Sequence, residues 1–282
     1  GTFIRNATPV NSRKIALMIY DTAYMAHPVT GGLIRGIDET LSRNGYILDI
    51  LASKRSFHDE NLMRLAESYA GFLIGTYQLD ELMLAELEKI SLPHLFVKNY
   101  PMNHDVHAAR INFTHAGFLA AEHLIRTGCG NLALIYSGDR IAISAEFKEG
   151  VYSAALEHGA RLRRENIFIA DFSDRLAVPE ICAELLRHED RPDGMICASD
   201  ELAIALLAEL KRHGVSVPGD ISVIGCNNTE NSTLTTPPLS TVDIPVMELG
   251  RRSADLLLRM IHGETAQPEL LEPSLVIRGS TR

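Results

Sequence analysis

The chain has 282 residues, of which 46% are hydrophobic, and it carries a formal net charge of -9. This length predicts one large domain or two smaller ones with a sizeable buried core. Because 27 basic residues face 36 acidic ones and no basic tract occurs, the segment alone is not expected to bind nucleic acid. No apolar run approaches the ~18 residues of a membrane span, and no secretory signal is visible, so we expect a cytoplasmic protein without membrane contact.

Cysteine and histidine usage argues against metal or redox chemistry. Cys129, Cys182, Cys197 and Cys226 lie far apart without a C-x-x-C spacing, and we predict that they are reduced core residues. The histidines form no H-E-x-x-H pattern. A nucleophile elbow, a P-loop and a dinucleotide fingerprint are also absent from the sequence, so neither an enzyme nor a cofactor is expected.

The first part of the chain alternates between short β-rich runs and helical patterns. After a polar stretch at 1–13 comes the run 14–20, then a loop, and then apolar residues at 33, 34, 37 and 41 with the spacing of a helix. Gly45 is expected to end that helix. Further strands are predicted at 46–51, 71–75 and 94–97, and further helices at 61–69 and 79–90.

A second series follows with the same alternation. Thr114 is the expected N-cap of a helix that ends at Thr127 and Gly128. Later strands are predicted at 132–136, 167–170, 194–198, from 222 onward and at 275–278, and later helices at 145–158, 178–187, 201–213 and 247–261.

This alternation predicts an α/β fold with two doubly wound parallel-sheet lobes joined by three crossover strands. The first lobe would comprise 14–112 and 243–268, and the second 113–242 and 269–282. Ligands of such folds bind at the carboxyl ends of strands, here in the cleft between lobes. Five glycines lie within two residues after predicted helix ends, where a left-handed residue is favoured: Gly45, Gly128, Gly159, Gly214 and Gly263.

The stretch 220–245 is the most informative part of the chain. An apolar run that includes Val223 and Cys226 stops at Asn227 and Asn228, as a buried parallel strand does beside a ligand site. The following Pro237-Pro238 pair interrupts the ladder. We therefore expect the next run, 239–244, to restart in another sheet as the chain crosses between lobes.

Several motifs in this order resemble one family, the lac repressor and galactose repressor family of bacterial transcription regulators. They are Ala-Ser-Asp-Glu-Leu-Ala at 198–203, Gly-Val-Ser-Val-Pro-Gly-Asp-Ile-Ser-Val-Ile-Gly at 214–225 and Pro-Pro-Leu-Ser-Thr-Val at 237–242. Gly-Arg-Arg at 250–252 and the closing Leu-Val-Ile-Arg-Gly-Ser-Thr at 275–281 complete them. The resemblance covers 14–282.

The resemblance implies a fold like that of type I periplasmic sugar-binding proteins. It also implies a sugar or sugar-derived effector, a homodimer, and operator DNA bound by a helix-turn-helix head. That head is absent from this segment, and residues 1–13 would be the remnant of the linker to it. The effector would switch DNA affinity by favouring one arrangement of the lobes.

The resemblance also suggests effector contacts in the second lobe. The acidic residue with which the family grips sugar hydroxyls corresponds to Asn227, and the cleft arginine corresponds to Phe147. Phe172 corresponds to the aromatic wall of the pocket. Ser199 corresponds to a polar ligand-contacting residue that precedes an acid, here Asp200. Asp200 is also a candidate contact, although a structural acid at a helix N-terminus is the favoured interpretation, and Phe147 equally fits the core.

In the first lobe, four residues near strand ends are expected to line the same site: Asp21, Tyr24, His27 and Lys98. The Lys98 side chain would meet a carboxylate, a phosphate or the neighbouring Asp21, and a solvated loop is the alternative. Since an arginine is lost and a lysine is present, we expect an effector that differs from a plain hexose.

Three functions remain open at this point. The leading hypothesis is the effector-binding domain of a transcription regulator. The alternative is an extracytoplasmic solute-binding protein of a sugar transporter, which has the same fold. An α/β enzyme acting on a ligand at the same cleft is the third.

Overall fold

The computed structural model describes residues 12–19, 25, 27–52, 60–75, 81–102, 106–172, 174–187, 190–265 and 267–282. Two predicted effector contacts, Asp21 and Tyr24, lie outside these residues, as does most of the predicted linker 1–13. Within the described chain, no helix is long and apolar enough to cross a membrane.

The chain forms two compact units. Unit 1 consists of the described residues up to Arg110 together with Val246–Leu270, and unit 2 consists of Ile111–Pro245 and Leu271–Arg282. The chain therefore passes between the units three times, after Arg110, after Pro245 and after Leu270.

Unit 1 is built on one six-stranded sheet with the strand order β11-β5-β4-β3-β1-β2. In sequence order the strands are β1 (Lys14–Ile19), β2 (Ile47–Ala52), β3 (Gly71–Ile74), β4 (His94–Val97), β5 (Ala108–Ile111) and β11 (Glu269–Leu271). The neighbours from β2 to β5 pair in parallel. The helices are α1 (Pro28–Arg43), α2 (Glu60–Ala66), α3 (Glu81–Leu87) and α8 (Val246–Ile261).

Unit 2 repeats this plan with the order β12-β10-β9-β8-β6-β7. Its strands are β6 (Asn131–Tyr136), β7 (Arg161–Ile169), β8 (Gly194–Cys197), β9 (Ser222–Cys226), β10 (Ser240–Asp243) and β12 (Ser274–Val276). All neighbours are parallel except β10 and β12, which are antiparallel. Its helices are α4 (Phe113–Arg126), α5 (Ala142–His158), α6 (Val178–Arg187) and α7 (Asp200–Arg212), with a short 3₁₀ helix at Glu230–Thr233.

The predicted α/β class with two sheets is confirmed, and two expectations about local structure are wrong. Asn112, not Thr114, caps α4, because its side-chain oxygen accepts a hydrogen bond from the His115 amide at 2.9 Å. The chain does not change sheets at Pro237-Pro238, because β10 pairs in parallel with β9 of the same sheet. The proline pair interrupts the chain only between neighbouring strands, and the crossing follows Pro245.

Two short strands, β5 and β11, were not predicted. Each is short, and the sequences Ala-Ala-Arg-Ile and Glu-Leu-Leu each include a charged residue and lack a run of β-branched or aromatic residues. Their position in the sheet is fixed by pairing between distant parts of the chain.

Each unit contains a close helix crossing that depends on glycine. In unit 1, a Cβ on Gly36 of α1 would overlap the backbone oxygen of Met247 in α8. In unit 2, a Cβ on Gly117 of α4 would overlap the backbone oxygen of Phe147 in α5. Because backbones approach this closely, neither glycine can be replaced without displacing a helix.

The predicted glycine and cysteine roles are confirmed. All five glycines that follow helix ends have positive φ angles, between 69° and 100°. All four cysteines are free and buried. Burial raises the pKa of the Cys182 thiol to about 11, so this residue stays a protonated, apolar core group at neutral pH.

The last residues of the chain lie against the sheet of unit 2. The Val223 amide donates to the Ser280 carbonyl at 2.8 Å, and the Ser280 hydroxyl donates to the Val223 carbonyl at 2.6 Å. The Ser240 amide donates to the Ser280 hydroxyl at 2.8 Å. This segment therefore fixes β9 and β10, whose carboxyl ends carry the polar residues described next.

Candidate functional site

Asn227 follows β9 directly in unit 2 and has a φ of 110°. A side-chain-bearing residue in this region is strained by roughly 1–3 kcal/mol, and such strain concentrates at functional sites. The Asn227 amide nitrogen of the backbone donates to the Val242 carbonyl at 2.8 Å, which fixes this conformation. Its half-buried side chain makes no hydrogen bond to any described residue, so an amide donor and an amide acceptor are available to a ligand.

The neighbouring Asn228 has a structural role. Its side chain donates to Asp243 Oδ1 at 2.9 Å and accepts from Arg278 Nη2 at 2.6 Å. Arg278 also donates to the Leu239 carbonyl at 2.7 Å and to Ser232 Oγ at 3.1 Å. This network ties β9, β10 and the chain end together, and of the two asparagines it engages the side chain of Asn228 only. Sequence reasoning missed Arg278, although it lies within the closing motif.

Asp200, a predicted effector contact, is fully buried at the start of α7. Its carboxylate accepts from Thr241 Oγ1 at 2.6 Å, from the Thr229 amide at 2.6 Å and from Thr229 Oγ1 at 3.0 Å. Burial raises its pKa to about 6, while the threonine hydrogen bonds and Arg278 oppose that shift. Both oxygens are used inside unit 2, which favours the structural interpretation; a direct effector contact stays a prediction.

Ser199 and Phe172 are linked by a hydrogen bond. Ser199 is the N-cap of α7: its hydroxyl accepts from the Leu202 amide at 3.3 Å and donates to the Phe172 carbonyl at 2.6 Å. Ser199 is fully buried, whereas Phe172, which follows β7, is partly exposed. The bond joins the buried N-cap of α7 to the backbone of the partly exposed Phe172.

Phe147 lies in the core of unit 2, with 1% of its surface exposed. It belongs to α5 at the close crossing with α4. The core interpretation of this residue therefore agrees with its burial. An effector contact through Phe147 requires the ring to move and stays a prediction.

Two predicted contacts of unit 1 lie within the described residues. Lys98 follows β4, has a φ of 71° and is only 4% exposed, so it is not the solvated loop residue that was the alternative. His27 is the N-cap of α1, and its Nδ1 lies 3.4 Å from the Val29 amide. Arg110, in β5, stacks over the Tyr100 ring at 4.0 Å, so the carboxyl ends of β4 and β5 carry two cations.

The described residues contain no group of three or more His, Cys, Asp or Glu side chains that could bind a metal. At the carboxyl ends of its strands, unit 2 has the side-chain amide of Asn227, which has no hydrogen-bond partner among the described residues, and the partly exposed Phe172. Such groups bind a polar, ring-shaped molecule by hydrogen bonding and stacking.

Comparisons with known proteins agree with this fold. A family model for the periplasmic binding protein-like domain matches residues 121–281. The transcriptional repressor PurR of Glaesserella parasuis serovar 5 (strain SH0165) is 30% identical over 295 residues, which cover 99% of this chain and 84% of the repressor. A solved LacI family transcriptional regulator from Enterococcus faecium with bound ribose is 27% identical, with a TM-score of 0.80, over 95% of this chain and 98% of that one.

The chain belongs to the LacI family of transcriptional regulators. Another family member, the arabinose metabolism transcriptional repressor of Geobacillus stearothermophilus, is 26% identical and aligns with 100% of this chain and 81% of its own length. The predicted LacI-family membership and its periplasmic-binding-protein-like fold are thereby confirmed, as is the effector-binding core of a transcriptional regulator. The matches to repressors do not favour the alternative of a transporter component.

Proposed function

We propose that this LacI-family chain binds a sugar or sugar derivative and so controls the DNA affinity of a helix-turn-helix head in the same polypeptide. The observation that carries the proposal is Asn227 at the carboxyl end of β9, with its strained backbone and a side-chain amide that bonds to none of the described residues. An amide that donates and accepts is suited to the hydroxyl groups of a sugar. The ribose-bound relative supports the choice of ligand class.

The proposed contacts in unit 2 are Asn227 and Phe172, and in unit 1 they include Lys98. A buried ammonium group at a strand end favours an effector with a carboxylate or phosphate group in addition to hydroxyls. The proposed contacts of Asp21, Tyr24 and His27 would complete the unit 1 side.

Thermal shift measurements with a defined panel test this function. The panel consists of D-ribose, L-arabinose, a ribose phosphate and D-gluconate. We expect at least one to raise the melting temperature, because a ligand that binds only the folded state stabilises it.

Asn227→Ala and Phe172→Ala should each weaken binding by roughly 1–3 kcal/mol in calorimetric titrations, with the fold intact. Unchanged affinity in both variants would contradict the proposed site.

We also propose a cytoplasmic homodimer. The edge strand β2 supports self-association through unit 1, because Ile47 and Ile50 are 59% and 38% exposed there. Sedimentation equilibrium should give twice the mass of one chain, and Ile47→Asp should shift the equilibrium toward the monomer. A monomer at high micromolar concentration would contradict the dimer.

A regulator of this kind needs no turnover of its effector. Incubation of the protein with the stabilising sugar, followed by chromatography of the sugar, is expected to recover it unchanged. Measurable conversion would support the enzyme hypothesis instead. Operator binding by the complete regulator should change when the effector is added, since an effector shifts only the equilibrium between states that it binds unequally.

A further inference from the structure

The loop between β7 and α6 carries Phe172, and residues 170–172 and 174–177 of it are described. We call this segment the Phe172 loop. Its first residue is attached to the sheet, since the Ala170 amide donates to the Tyr136 carbonyl at 3.0 Å and Ser137 Oγ donates to the Ala170 carbonyl at 3.0 Å. The second half of the loop is a turn in which Asp174 Oδ1 accepts from the Leu176 and Ala177 amides.

Two contacts connect this loop to the first turn of α7. One is the 2.6 Å hydrogen bond from Ser199 Oγ to the Phe172 carbonyl. The other is an ion pair between Arg175 and Glu201 Oε2. The two contacts lie on either side of Asp174, so both halves of the loop are attached to the same helix end.

The ion pair joins a buried acid to an exposed base. Glu201 is 3% exposed, whereas the Arg175 side chain is 63% exposed. Among the described residues, Glu201 Oε1 is buried and accepts no hydrogen bond. A buried carboxylate with a single cationic partner depends strongly on that partner, because its charge is otherwise unpaired away from water.

We propose that Ser199 and the Arg175–Glu201 ion pair are positioning elements that fix the Phe172 loop and thereby preorganise the aromatic wall of the effector site. This inference rests on the proposed function, in which Phe172 contacts the effector. Ser199 then acts through Phe172 and not by touching the effector itself, which agrees with its complete burial. Glu201 has the same kind of role through Arg175.

A fluorescent reporter allows a test without any ligand. The chain contains no tryptophan, so Phe172→Trp introduces a single indole whose signal reports only on this loop. In that background, which we call the reporter parent, we compare Arg175→Met and Glu201→Gln with a matched control on the same helix. The control is Arg212→Met, which removes the 3.0 Å pair with Glu209.

We expect Arg175→Met and Glu201→Gln to increase acrylamide quenching of the introduced indole and to lower its fluorescence anisotropy, whereas Arg212→Met leaves both unchanged. The double variant should resemble either single variant, because both remove the same interaction. A purely structural role would lower the melting temperature without this change in the indole signal. Quenching equal to that of the reporter parent in both variants would overturn the proposal.

The response of the indole to salt provides a second test of the ion pair. At about 1 M KCl the screening length is about 3 Å, so salt weakens in part the attraction between the exposed Arg175 guanidinium and the buried Glu201 carboxylate. Quenching of the indole should rise with KCl in the reporter parent and stay flat in Glu201→Gln. An identical salt response in the two proteins would count against the ion pair.

D-ribose titrations of the chain with Phe172 intact separate this inference from the proposed function. If the freed loop occupies its binding geometry a tenth of the time, D-ribose affinity falls about tenfold in Glu201→Gln. An unchanged affinity despite increased quenching would overturn preorganisation of the site. If none of the four panel compounds binds the unsubstituted protein, the proposed function fails, while the quenching comparison still decides whether the pair positions the loop.

Discussion

Asp200 Oδ1 accepts a hydrogen bond from Thr241 Oγ1 at 2.6 Å, which joins the first residue of α7 to β10. A Cβ at Gly225 in β9 would overlap this carboxylate oxygen, so the glycine makes room for the pair. Burial dominates the electrostatics of the group and raises its pKa to about 6.

This raised pKa predicts a pH dependence of folding. Between the ordinary carboxyl pKa of 3.8 and about 6, the folded protein binds more protons at Asp200 than the unfolded chain does. The contribution of Asp200 to the free energy of unfolding therefore falls as pH rises through this window. Across the whole window, the contribution of Asp200 to the free energy of unfolding changes by about 3 kcal/mol.

Urea denaturation from pH 4 to 7 checks this expectation by comparing the parent with Asp200→Asn. The variant should lose that part of the pH dependence, although it is less stable at low pH because its hydrogen bonds change. The free energy of unfolding of the parent minus that of the variant should fall as pH rises from 4 to about 6. A slope of opposite sign would show that ionised Asp200 stabilises the fold.

His123 predicts a dependence of the opposite sign. Burial lowers its pKa below the ordinary value of 6.5, and its Nε2 lies 2.8 Å from Thr281 Oγ1. The folded protein thus binds fewer protons here than the unfolded chain, so stability from this group is present above pH 6.5 and is lost as pH falls through the folded pKa. In urea denaturation, His123→Gln should lose less of its free energy of unfolding than the parent does as pH falls. An NMR titration that gives the imidazole an ordinary pKa would contradict the lowered pKa.

The helix crossing of unit 1 predicts that two glycines of α1 differ in their response to alanine. Gly36→Ala should destabilise the protein by about 1–3 kcal/mol or more, because the new Cβ overlaps the Met247 carbonyl. Gly31→Ala should be neutral or stabilising by up to about 1 kcal/mol, since no atom lies within 4 Å of its Cβ position. Thermal unfolding of both variants measures the difference, and equal effects would contradict the crossing geometry.

Arg278 predicts that lysine cannot replace arginine in the network at the end of β9. Its two terminal nitrogens donate to Asn228 Oδ1, Ser232 Oγ and the Leu239 carbonyl, and a single ammonium cannot match that geometry. Arg278→Lys should cost about 2–3 kcal/mol in urea denaturation. The control Arg212→Lys alters an exposed helix pair and should cost less than about 0.5 kcal/mol. Equal losses in the two variants would contradict the role of the arginine geometry.

Much of the fold could be predicted because strands and helices alternate regularly along the chain. Helix α6 and strand β4 have the predicted bounds, and the five glycines lie where helices end. The N-cap of α4 was assigned wrongly, because Asn112 and Thr114 are both good capping residues and only the backbone path distinguishes them. The prediction that β10 joins a different sheet from β9 was also wrong, because a proline pair marks a break in the chain but does not specify the sheet of the next strand.

The candidate site was harder to predict than the fold. Asn227 and Asn228 are adjacent and chemically identical, yet only Asn228 is bound by Arg278 and Asp243. Phe147 and Phe172 are both aromatic, yet one is in the core and the other is partly exposed. The burial of a side chain and its hydrogen-bond partners depend on neighbours from other parts of the chain, which are not apparent from the local sequence.

The amino-acid sequence by itself determined the alternation of strands and helices, the positions of the left-handed glycines and the motifs that identify the family. These features follow from local backbone preferences and from residues that are close in the chain. Only the tertiary structure decided which polar side chains are satisfied within the protein and which remain available. The reason is that a polar group's free energy depends on its burial and partners, and Asp200 finds its partners 29 and 41 residues away, at Thr229 and Thr241.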